Sequence, residues 1–339
     1  MQMRYRRMGR SGLMISELVL GTMNFGHQTD RKESLNIIDA AIDSGMNIID
    51  CADVYAGGES ERVLGEALRR DGKRKSILLT TKVFLRTGQG PNDAGNSKHH
   101  ILEACENSLK RLRTDYIDIY FLHRTDFNLP QEETLAALDL LVQQGKVRYI
   151  GCSTHPPWRV VEAMWLADKH RLPKFVCEQP PYNLLDRRVE TEVVPMCREY
   201  DLGLICWSPL AQGILAGRYQ TAGHFPDGSR ATEKTIFAER ITPAGIQAAN
   251  RLNTLAQRKG CSLPQLAIGW ILHQPGITGT IIGPRTMQHF QELLPACEIQ
   301  MEESDLELCD AVVPPGAFVS DHFNTAGWIP KPRSECCIR

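Results

Sequence analysis

The feature that most constrains the fold is a regular alternation along the chain. Eight short runs rich in apolar and β-branched residues alternate with longer segments whose apolar residues recur at helical spacing. The candidate strands are Leu18–Gly21, Asn47–Cys51, Ile77–Val83, Tyr116–His123, Val147–Ser153, Phe175–Gln179, Leu204–Ser208 and Ile277–Gly283. The candidate helices cover residues 31–44, 59–70, 98–113, 131–145, 157–170, 187–201, 243–273 and 286–296.

Strands linked by helical crossovers run parallel and are covered by helices. Eight such units close most simply into a (β/α)8 TIM barrel, which belongs to the α/β class. A doubly wound open sheet is the alternative, but the Gly-x-Gly-x-x-Gly turn typical of it is absent after the early strands. Residues 3–16, with Gly9 to Gly12 at their centre, predict an N-terminal β-hairpin cap on the barrel floor. We expect a single barrel domain over 1–339, with the barrel at about 17–296 and a C-terminal helix and tail at 297–339.

Charge and composition exclude several classes of protein. The net charge of −1 gives no strong field toward nucleic acid or an anionic membrane. The segment that follows the basic start, residues 11–17, is too polar for a signal-peptide core, and no apolar run approaches the ~20 residues of a membrane span. We therefore expect a cytoplasmic monomer or weak homo-oligomer. The 11 cysteines include no Cys-x-x-Cys pair and no Cys/His cluster with zinc spacing, which predicts reduced thiols and no metal.

Polar side chains stand where nearly every candidate strand ends. These residues are Asp50, Asp53 and Tyr55 after the second strand, Lys82, His123, Ser153 and Thr154, Glu178 and Gln179, Trp207 and Ser208, and then Gly283 to Thr286. In this fold the active site is built at the C-terminal ends of the strands. Each such group costs desolvation unless it is paired, so a barrel kept only for stability has no need of them. The pattern predicts one polar mouth.

Several of these segments resemble the motifs of one family. Residues 45–55, Gly-Met-Asn-Ile-Ile-Asp-Cys-Ala-Asp-Val-Tyr, together with 59–65, Glu-Ser-Glu-Arg-Val-Leu-Gly, closely resemble the aldo-keto reductase signature. Residues 122–124, 145–151, 182–185 and 207–213 are similar to that family's later motifs, in the expected order, and the resemblance runs from about residue 3 to about residue 296. The branch it most resembles is the one shared by aryl-alcohol and sugar-carbonyl reductases and potassium-channel β subunits.

This resemblance implies a catalytic group of Asp50, Tyr55, Lys82 and His123. A carbonyl that accepts hydride develops negative charge on oxygen, so it needs a proton donor, and Tyr55 would be that acid. Lys82 would lower the pKa of the phenol, Asp50 would hold Lys82 charged, and His123 would orient the carbonyl oxygen. Alone, each residue is more typical of a structural role. Asp53 is predicted to cap its loop.

The resemblance also implies NADPH/NADP+ as the cofactor, held across the barrel mouth. The residues expected to contact it are Gly21, Thr22, Met23, Asp50, Ser153, Gln179, Trp207, Ser208, Pro209, Leu210, Gln212, Gly213, Arg218, Gly283, Arg285 and His289. Trp207 would stack on the nicotinamide, and Ser153 and Gln179 would hold its carboxamide, although Thr154 replaces the family's usual Asn. Arg285 and a helix N-terminus would meet the 2′-phosphate. His289 replaces a usual Gln and Leu293 a usual Asn, so adenine recognition must be less polar or differently arranged.

The substrate is expected to be a small carbonyl compound, without a choice between an aromatic aldehyde and a sugar or polyketide-type ketone. Phe25, Tyr55, Phe84, His123 and Arg124 are placed to shape its pocket, with residues 216–240 as a candidate flap. Arg124 indicates either a polar or acidic substrate or an ion pair with Asp126. Two other functions stay open: a Schiff-base aldolase using Lys82, and an NADP-binding redox-sensing regulatory module.

Overall fold

The computed structural model describes residues 3–232 and 235–323. The strands are β1 Tyr5–Arg7, β2 Met14–Ser16, β3 Leu18–Gly21, β4 Ile48–Asp50, β5 Leu78–Val83, β6 Ile117–Leu122, β7 Val147–Cys152, β8 Phe175–Glu178, β9 Gly203–Cys206 and β10 Gly279–Ile282. The helices are α1 Arg31–Asp43, α2 Glu59–Arg69, α3 Lys98–Leu112, α4 Gln131–Gln143, α5 Pro157–His170, α6 Val193–Glu199, α7 Thr235–Glu239, α8 Pro243–Arg258, α9 Leu263–His273, α10 Met287–Leu293 and α11 Glu303–Val312.

The eight strands β3 to β10 form a closed parallel barrel. Each pairs with its sequence neighbours, and β10 pairs with β3 to complete the ring. The predicted (β/α)8 TIM barrel is confirmed, and so is the N-terminal hairpin, because β1 and β2 pair antiparallel. All eight predicted strands are present, with ends that differ by one or two residues in most cases.

Alternation along the strands divides the core into two layers. Inside the barrel, Val19, Ile48, Ile119 and Phe121 pack together with Met8 of the hairpin. Alternate strand residues pack outward in a larger cluster against the helices. The hairpin thus closes the N-terminal end of the barrel with apolar side chains and leaves the opposite end for polar groups.

The helices begin where the sequence offers a cap. The side chains of Asp30 and Ser97 accept N–H groups in the first turns of α1 and α3. The predicted helix at 243–273 is wrong, because two helices, α8 and α9, occupy that range. Gly260 separates them in a left-handed conformation, and a capping box of Ser262 and Gln265 starts the second.

Two further expectations differ in detail. The segment predicted as a helix at 187–201 contains a 3-10 turn, Arg188–Glu190, before the shorter α6. The flap candidate at 216–240 includes the short helix α7. Of the predicted C-terminal tail, residues 324–339 lie outside the described part. All nine cysteines in the described ranges are free thiols, and no helix there is long and apolar enough to cross a bilayer.

Candidate active site

The period of the strands turns the predicted catalytic residues toward the barrel axis. Ile48 and Phe121 face the interior, so Asp50 and His123, two residues further along, face it too, one layer higher. Lys82 lies on the same face at the end of β5, paired in register with Phe121. Asp50, Lys82 and His123 are all buried. The polar mouth predicted from the strand ends is therefore formed by these side chains.

Asp50, Lys82 and Tyr55 form one hydrogen-bonded chain. Lys82 Nζ lies 2.6 Å from Asp50 Oδ2 and 3.4 Å from Tyr55 Oη, and it also donates to Cys51 O at 2.7 Å. The His123 ring stands edge-on to the Tyr55 ring, with centroids 6.0 Å apart. The four residues predicted to act together are thus adjacent in space.

Asp50 is itself held by two residues that sequence reasoning did not assign to this task. Thr80 Oγ1 donates to Asp50 Oδ1 at 3.0 Å, and Gln179 Nε2 donates to the same oxygen at 2.9 Å. Thr80 lies two residues before Lys82, on the same inward face of β5. The two-residue spacing of Thr80 and Lys82 predicts that both side chains point into the barrel, so the contact from Thr80 could have been predicted from sequence. The contact from Gln179 depends on barrel closure.

Burial and charge set the protonation of this group. Burial is the largest single effect on Lys82 and works against its ammonium, but Asp50, Tyr55 and Cys51 together outweigh it and raise the pKa of Lys82 above its usual value. Burial also raises the pKa of Tyr55, and the opposing effect of Lys82 is smaller. The predicted net lowering of the Tyr55 pKa is therefore not seen, and the phenol is protonated at neutral pH. Burial, with the charges of Lys82 and Arg124, lowers the pKa of His123 well below its usual value, so this imidazole is neutral.

The backbone that carries Tyr55 has an unusual shape. Tyr55 begins a 3-10 turn, Tyr55–Gly58, in which Ala56, Gly57 and Gly58 all have positive φ. At Gly58 a Cβ atom would lie 2.8 Å from Arg111 Cδ, so a side chain there would clash as well as strain the backbone. This turn returns Tyr55 over the barrel mouth, beside Lys82.

The residues expected to face the nicotinamide lie together on one side of the mouth. Trp207 is partly exposed and donates from Nε1 to Gln179 O at 3.1 Å. Ser153 Oγ donates to the same carbonyl at 2.8 Å. Ser153 and Gln179 are almost completely buried. The two carboxamide candidates are therefore already tied to each other, and Gln179 is tied to Asp50.

A loop with unusual backbone geometry leads from Trp207 toward the rim. Ser208, Ala211, Gln212 and Gly213 all have positive φ, and Gln212 Oε1 is buried without a hydrogen-bond partner in the described ranges. Pro209 and Leu210 complete this loop. The N–H groups of Ala211 and Gly213 are already hydrogen-bonded within the loop, to Ser208 O and Leu210 O. Any contact of this loop with the anionic part of a dinucleotide therefore falls to its other groups.

Three basic side chains gather at the rim beyond this loop. Burial lowers the pKa of His289, and the nearby positive charges of Arg218 and Arg285 lower it further. Arg285 Nη1 donates to Gly228 O at 2.7 Å, and Gly283 is exposed beside it. This grouping fits a phosphate monoester.

The expected contribution of a helix N-terminus at this rim needs correction. The helix that follows, α10, has only seven residues. Met287 N donates to Glu33 Oε1 at 2.6 Å, and His289 N donates to the capping hydroxyl of Thr286 at 3.2 Å. Two of the first-turn N–H groups are therefore already occupied, one by a carboxylate. We therefore expect phosphate contacts here mainly from the basic side chains.

Two of the residues expected to contact the cofactor, Thr22 and Gly21, are built into the barrel instead. Thr22 is fully buried, and its hydroxyl donates to Asp50 O at 3.0 Å. At Gly21 a Cβ atom would lie 2.5 Å from Ile281 Cγ2, so this glycine allows close packing of β3 on β10. Met23 alone of the three is exposed.

Phe25 was expected to shape the substrate pocket, and the structure contradicts this prediction. It is completely buried in the outer core and has no surface left for a substrate. Phe84 is partly exposed just after β5, with a φ of 152° and its carbonyl held by Gly95 N at 2.7 Å. A non-glycine residue in that region is strained, and such strain clusters at binding sites.

Arg124 lies at the mouth and does not pair with Asp126. Its Nη1 donates to His123 O at 2.6 Å, and its guanidinium carbon lies 5.8 Å from the centre of the Trp207 ring. Asp126 instead accepts the backbone N–H groups of Asn96 and Asn128. Of the two predicted alternatives, the Arg124–Asp126 ion pair is thus not formed.

Asp53 does not cap its loop as predicted. Both carboxylate oxygens are buried, and neither has a partner of ordinary hydrogen-bond geometry among the described residues, although the Val54 N–H lies close enough to oppose the rise in pKa weakly. Burial and the nearby carboxylate of Glu61 raise the pKa of Asp53 to about 8. Glu61 itself is paired, since Arg111 Nε lies 2.6 Å from its Oε2 and Thr81 Oγ1 donates to its Oε1 at 2.6 Å. Asp53 is left as an unpaired buried acid behind the catalytic group.

The mouth of this parallel eight-stranded barrel holds a buried Asp–Lys pair, a tyrosine and a neutral histidine. This combination is typical of a class of barrel oxidoreductases, and comparison with known sequences supports that class. A model of the aldo/keto reductase family matches residues 17–314. The chain therefore belongs to the aldo/keto reductase family, as the sequence motifs predicted.

Individual relatives cover nearly the whole chain. It is 39% identical over 303 residues to a probable voltage-gated potassium channel subunit beta of Oryza sativa subsp. japonica, covering 88% of this chain and 92% of the relative. It is 38% identical over 303 residues to a protein of the same name from Arabidopsis thaliana, with the same coverage of each chain. It is 36% identical over 321 residues to the uncharacterized oxidoreductase YrpG of Bacillus subtilis (strain 168), covering 92% of this chain and 96% of that protein.

Proposed function

We propose that this protein reduces an aldehyde or ketone to the alcohol with NADPH, with Tyr55 as the proton donor. The observation that carries this proposal is the buried chain from Asp50 through Lys82 to Tyr55, next to a neutral His123. Family membership supports the oxidoreductase class. The cofactor, the proton donor and the substrate class go beyond what family membership alone establishes.

Tyr55 can hold its proton until an oxyanion forms beside it. Its phenol is protonated at neutral pH, and its oxygen lies 3.4 Å from the Lys82 ammonium. When the proton leaves, the phenolate that remains is stabilised by this positive charge. Asp50, fixed by Thr80 and Gln179, keeps Lys82 charged and in place.

His123 would orient the carbonyl. A neutral imidazole donates one N–H, and burial keeps this ring neutral. A hydrogen bond from it to the carbonyl oxygen would fix that oxygen beside the Tyr55 hydroxyl. His123 would thus position the substrate, and Tyr55 would supply the proton.

When bound, NADPH would supply the hydride. Trp207 would present its ring face to the nicotinamide, and Ser153 and Gln179 would border the carboxamide. The loop from Ser208 to Gly213 would lie against the pyrophosphate. The 2′-phosphate would meet the basic side chains at the rim, which are Arg218, Arg285 and His289.

The decisive experiment is Tyr55→Phe. We expect carbonyl reduction to fall by roughly 10²–10⁴-fold because the proton donor is lost. NADPH affinity should change little, since Phe keeps the ring. Tyr149→Phe, which removes a phenol from lower in the barrel, is the matched control and should keep full activity. Turnover by Tyr55→Phe within about threefold of the parent would reject Tyr55 as the acid.

The structure also favours a substrate with an anionic or strongly polar group. Arg124 is half-buried beside His123 and Trp207, and it forms no ion pair with an acidic residue of the described ranges. The Glu178 carboxylate acts on this guanidinium only from a distance, and a substrate carboxylate could pair with it directly. We expect Arg124→Gln to lower kcat/KM for 4-carboxybenzaldehyde by about tenfold or more, and for benzaldehyde by less than about threefold. Equal losses for both aldehydes would reject this specificity.

A regulatory role is the second candidate, and the two plant relatives named as channel β subunits are the observation that favours it. Tight NADPH binding without turnover on any carbonyl of a broad panel would support that role over the enzyme. The Schiff-base aldolase is less compatible with the site, because Lys82 is charged and donates to Asp50 and Cys51. Such an ammonium has no free electron pair for attack on a carbonyl. Borohydride trapping of substrate on Lys82 would reverse that judgement.

A further inference from the structure

Three buried side chains of metal-ligand type meet behind the wall of the barrel mouth. Cys152 ends β7, Glu178 ends β8, and His155 lies in the loop after β7. One ligand atom from each lies within 4.8 Å of the other two, and all three residues are buried. We propose that these residues form a binding site for Zn²⁺, separate from the catalytic group and independent of the proposed function.

The strand register brings the ligands together. Cys152 and Glu178 are paired neighbours on β7 and β8. Cys177 faces the barrel interior, so Glu178 faces the opposite way, toward the helices. Thr154 has a φ of 54°, which turns the chain back so that His155 N donates to Glu178 Oε1 at 3.1 Å. The three ligands are therefore fixed by strand ends and a tight turn.

The donor set suits zinc. Thiolate sulfur, imidazole nitrogen and carboxylate oxygen are the three ligand types that zinc uses, at about 2.0–2.3 Å. The ligand atoms of a tetrahedral zinc site are about 3.5 Å apart. Side-chain rotations that move these ligand atoms by roughly 1 Å would therefore bring them to the spacing that zinc needs. One thiolate and one carboxylate also balance a divalent charge, which allows burial without a net charge. The fourth position would be left to water.

Two of the ligand groups, Glu178 and His155, present an atom that is available to bind a cation. Glu178 Oε2 is buried and has no partner of ordinary hydrogen-bond geometry in the described part of the chain. The Cys152 thiol lies close enough to lower the pKa of Glu178 as a donor, and a cation would take the place of that thiol proton. His155 Nδ1 lies 3.0 Å from Ser153 O. A carbonyl can only accept, so Nδ1 carries the hydrogen and Nε2 keeps its lone pair. A backbone carbonyl on the far nitrogen is the usual second partner of a metal-bound histidine.

The position of this site predicts what occupancy would do. Ser153, whose carbonyl His155 holds, donates to Gln179 O, and Gln179 donates to Asp50. A cation on Cys152, His155 and Glu178 would brace the two strand ends that carry Ser153 and Gln179. We expect it to stabilise the barrel without entering the substrate pocket.

The test is Co²⁺ and Zn²⁺ binding to metal-free full-length protein. Cys336 and Cys337, outside the described residues, are first replaced by Ser to remove background thiols. We expect about one Co²⁺ per chain, with thiolate-to-cobalt charge-transfer absorption, and displacement by Zn²⁺. Cys152→Ser should remove the absorption and the binding. Cys105→Ser, a buried thiol on α3, is the matched control and should leave both unchanged.

The outcomes are distinct. Binding that survives both Cys152→Ser and Glu178→Gln would place the metal elsewhere and overturn the proposal. A failure of the parent to bind either metal would overturn it as well. If the variants do not fold, the parent alone suffices: Zn²⁺ should slow alkylation of Cys152 in mild urea and raise Tm. Equal alkylation of Cys152 with and without Zn²⁺ would refute the site. Tyr55→Phe should bind the metal like the parent, so failure here is distinguishable from failure of the catalytic proposal.

Discussion

The unpaired acid behind the catalytic group should make stability depend on pH in an unusual direction. Asp53 is buried, neither of its oxygens has a partner of ordinary hydrogen-bond geometry in the described ranges, and its folded-state pKa is about 8, against 3.8 for a free side chain. Burial and the Glu61 carboxylate are the causes. Between these two pH values the unfolded chain has lost this proton and the folded chain has kept it. Stability from this group is therefore present below about pH 4 and falls as pH rises toward 8.

Asp53→Asn is the perturbation, because Asn keeps the size of the side chain and cannot ionise. Each pH unit inside the window is worth at most about 1.4 kcal/mol, so the step from pH 5 to pH 7 is worth at most about 2.7 kcal/mol. Relaxation of the protein around an ionised carboxylate makes the actual loss of stability smaller than this limit. We expect the parent to lose about 1–3 kcal/mol of unfolding free energy from Asp53 between pH 5 and pH 7. Relative to the parent, the variant should thus gain that much stability between pH 5 and pH 7.

The assay is urea unfolding followed by circular dichroism at pH 5, 6 and 7. Asp43→Asn is the matched control, since Asp43 is an exposed carboxylate at the end of α1. Its substitution should leave the pH dependence of stability as in the parent. Parallel parent and Asp53→Asn profiles, or a larger gain at pH 5 than at pH 7, would refute the reasoning.

Three further perturbations test the cofactor site and the packing. Trp207→Ala should weaken NADPH binding in calorimetry, because the nicotinamide loses its stacking face; an unchanged affinity would exclude that role. The parent should prefer NADPH over NADH by roughly ten- to hundred-fold, and Arg285→Ala should collapse this ratio while NADH affinity hardly moves. An unchanged ratio would move the 2′-phosphate to Arg218 or His289. Gly65→Ala should destabilise the fold by about 1–3 kcal/mol in urea unfolding, because the new Cβ would lie 2.6 Å from the backbone of Leu112. Gly12→Ala, where nothing lies within 4 Å of the new Cβ, is its control, and equal losses would contradict the packing argument.

The barrel was predictable from sequence because its strands are buried on both faces and its helices on one. These two patterns differ in period, so the order of the elements can be read locally. The grouping of the proposed catalytic residues was predictable for a related reason. Asp50, Lys82 and His123 stand at strand ends, and a parallel barrel brings all strand ends to one mouth. The break between α8 and α9 was also readable, from Gly260 and the Ser262–Gln265 capping box, although the apolar period across it obscured it.

Tertiary structure alone decided how each polar group is used. Gly21, Thr22 and Phe25 stand at or just after the end of the first barrel strand, so the sequence predicted them at the mouth. In the structure, Phe25 lies in the outer core, and Thr22 and Gly21 are part of the barrel wall. Gln179 reaches Asp50 across a sequence separation of 129 residues, and a contact of that range has no local signal. The rise in the Tyr55 pKa follows from the balance between burial and the Lys82 charge.

The same limit explains the ligand cluster. The sequence predicted no metal, because it contains no Cys-x-x-Cys pair and no Cys/His cluster with zinc spacing. Glu178 joins them only through the pairing of β7 with β8. The sequence by itself therefore determined the barrel and its family and indicated the proposed catalytic residues, since each depends on local period or on strand ends. Which hydrogen bonds, charges and ligands those residues share was decided by barrel closure, because it brings together groups that are far apart along the chain.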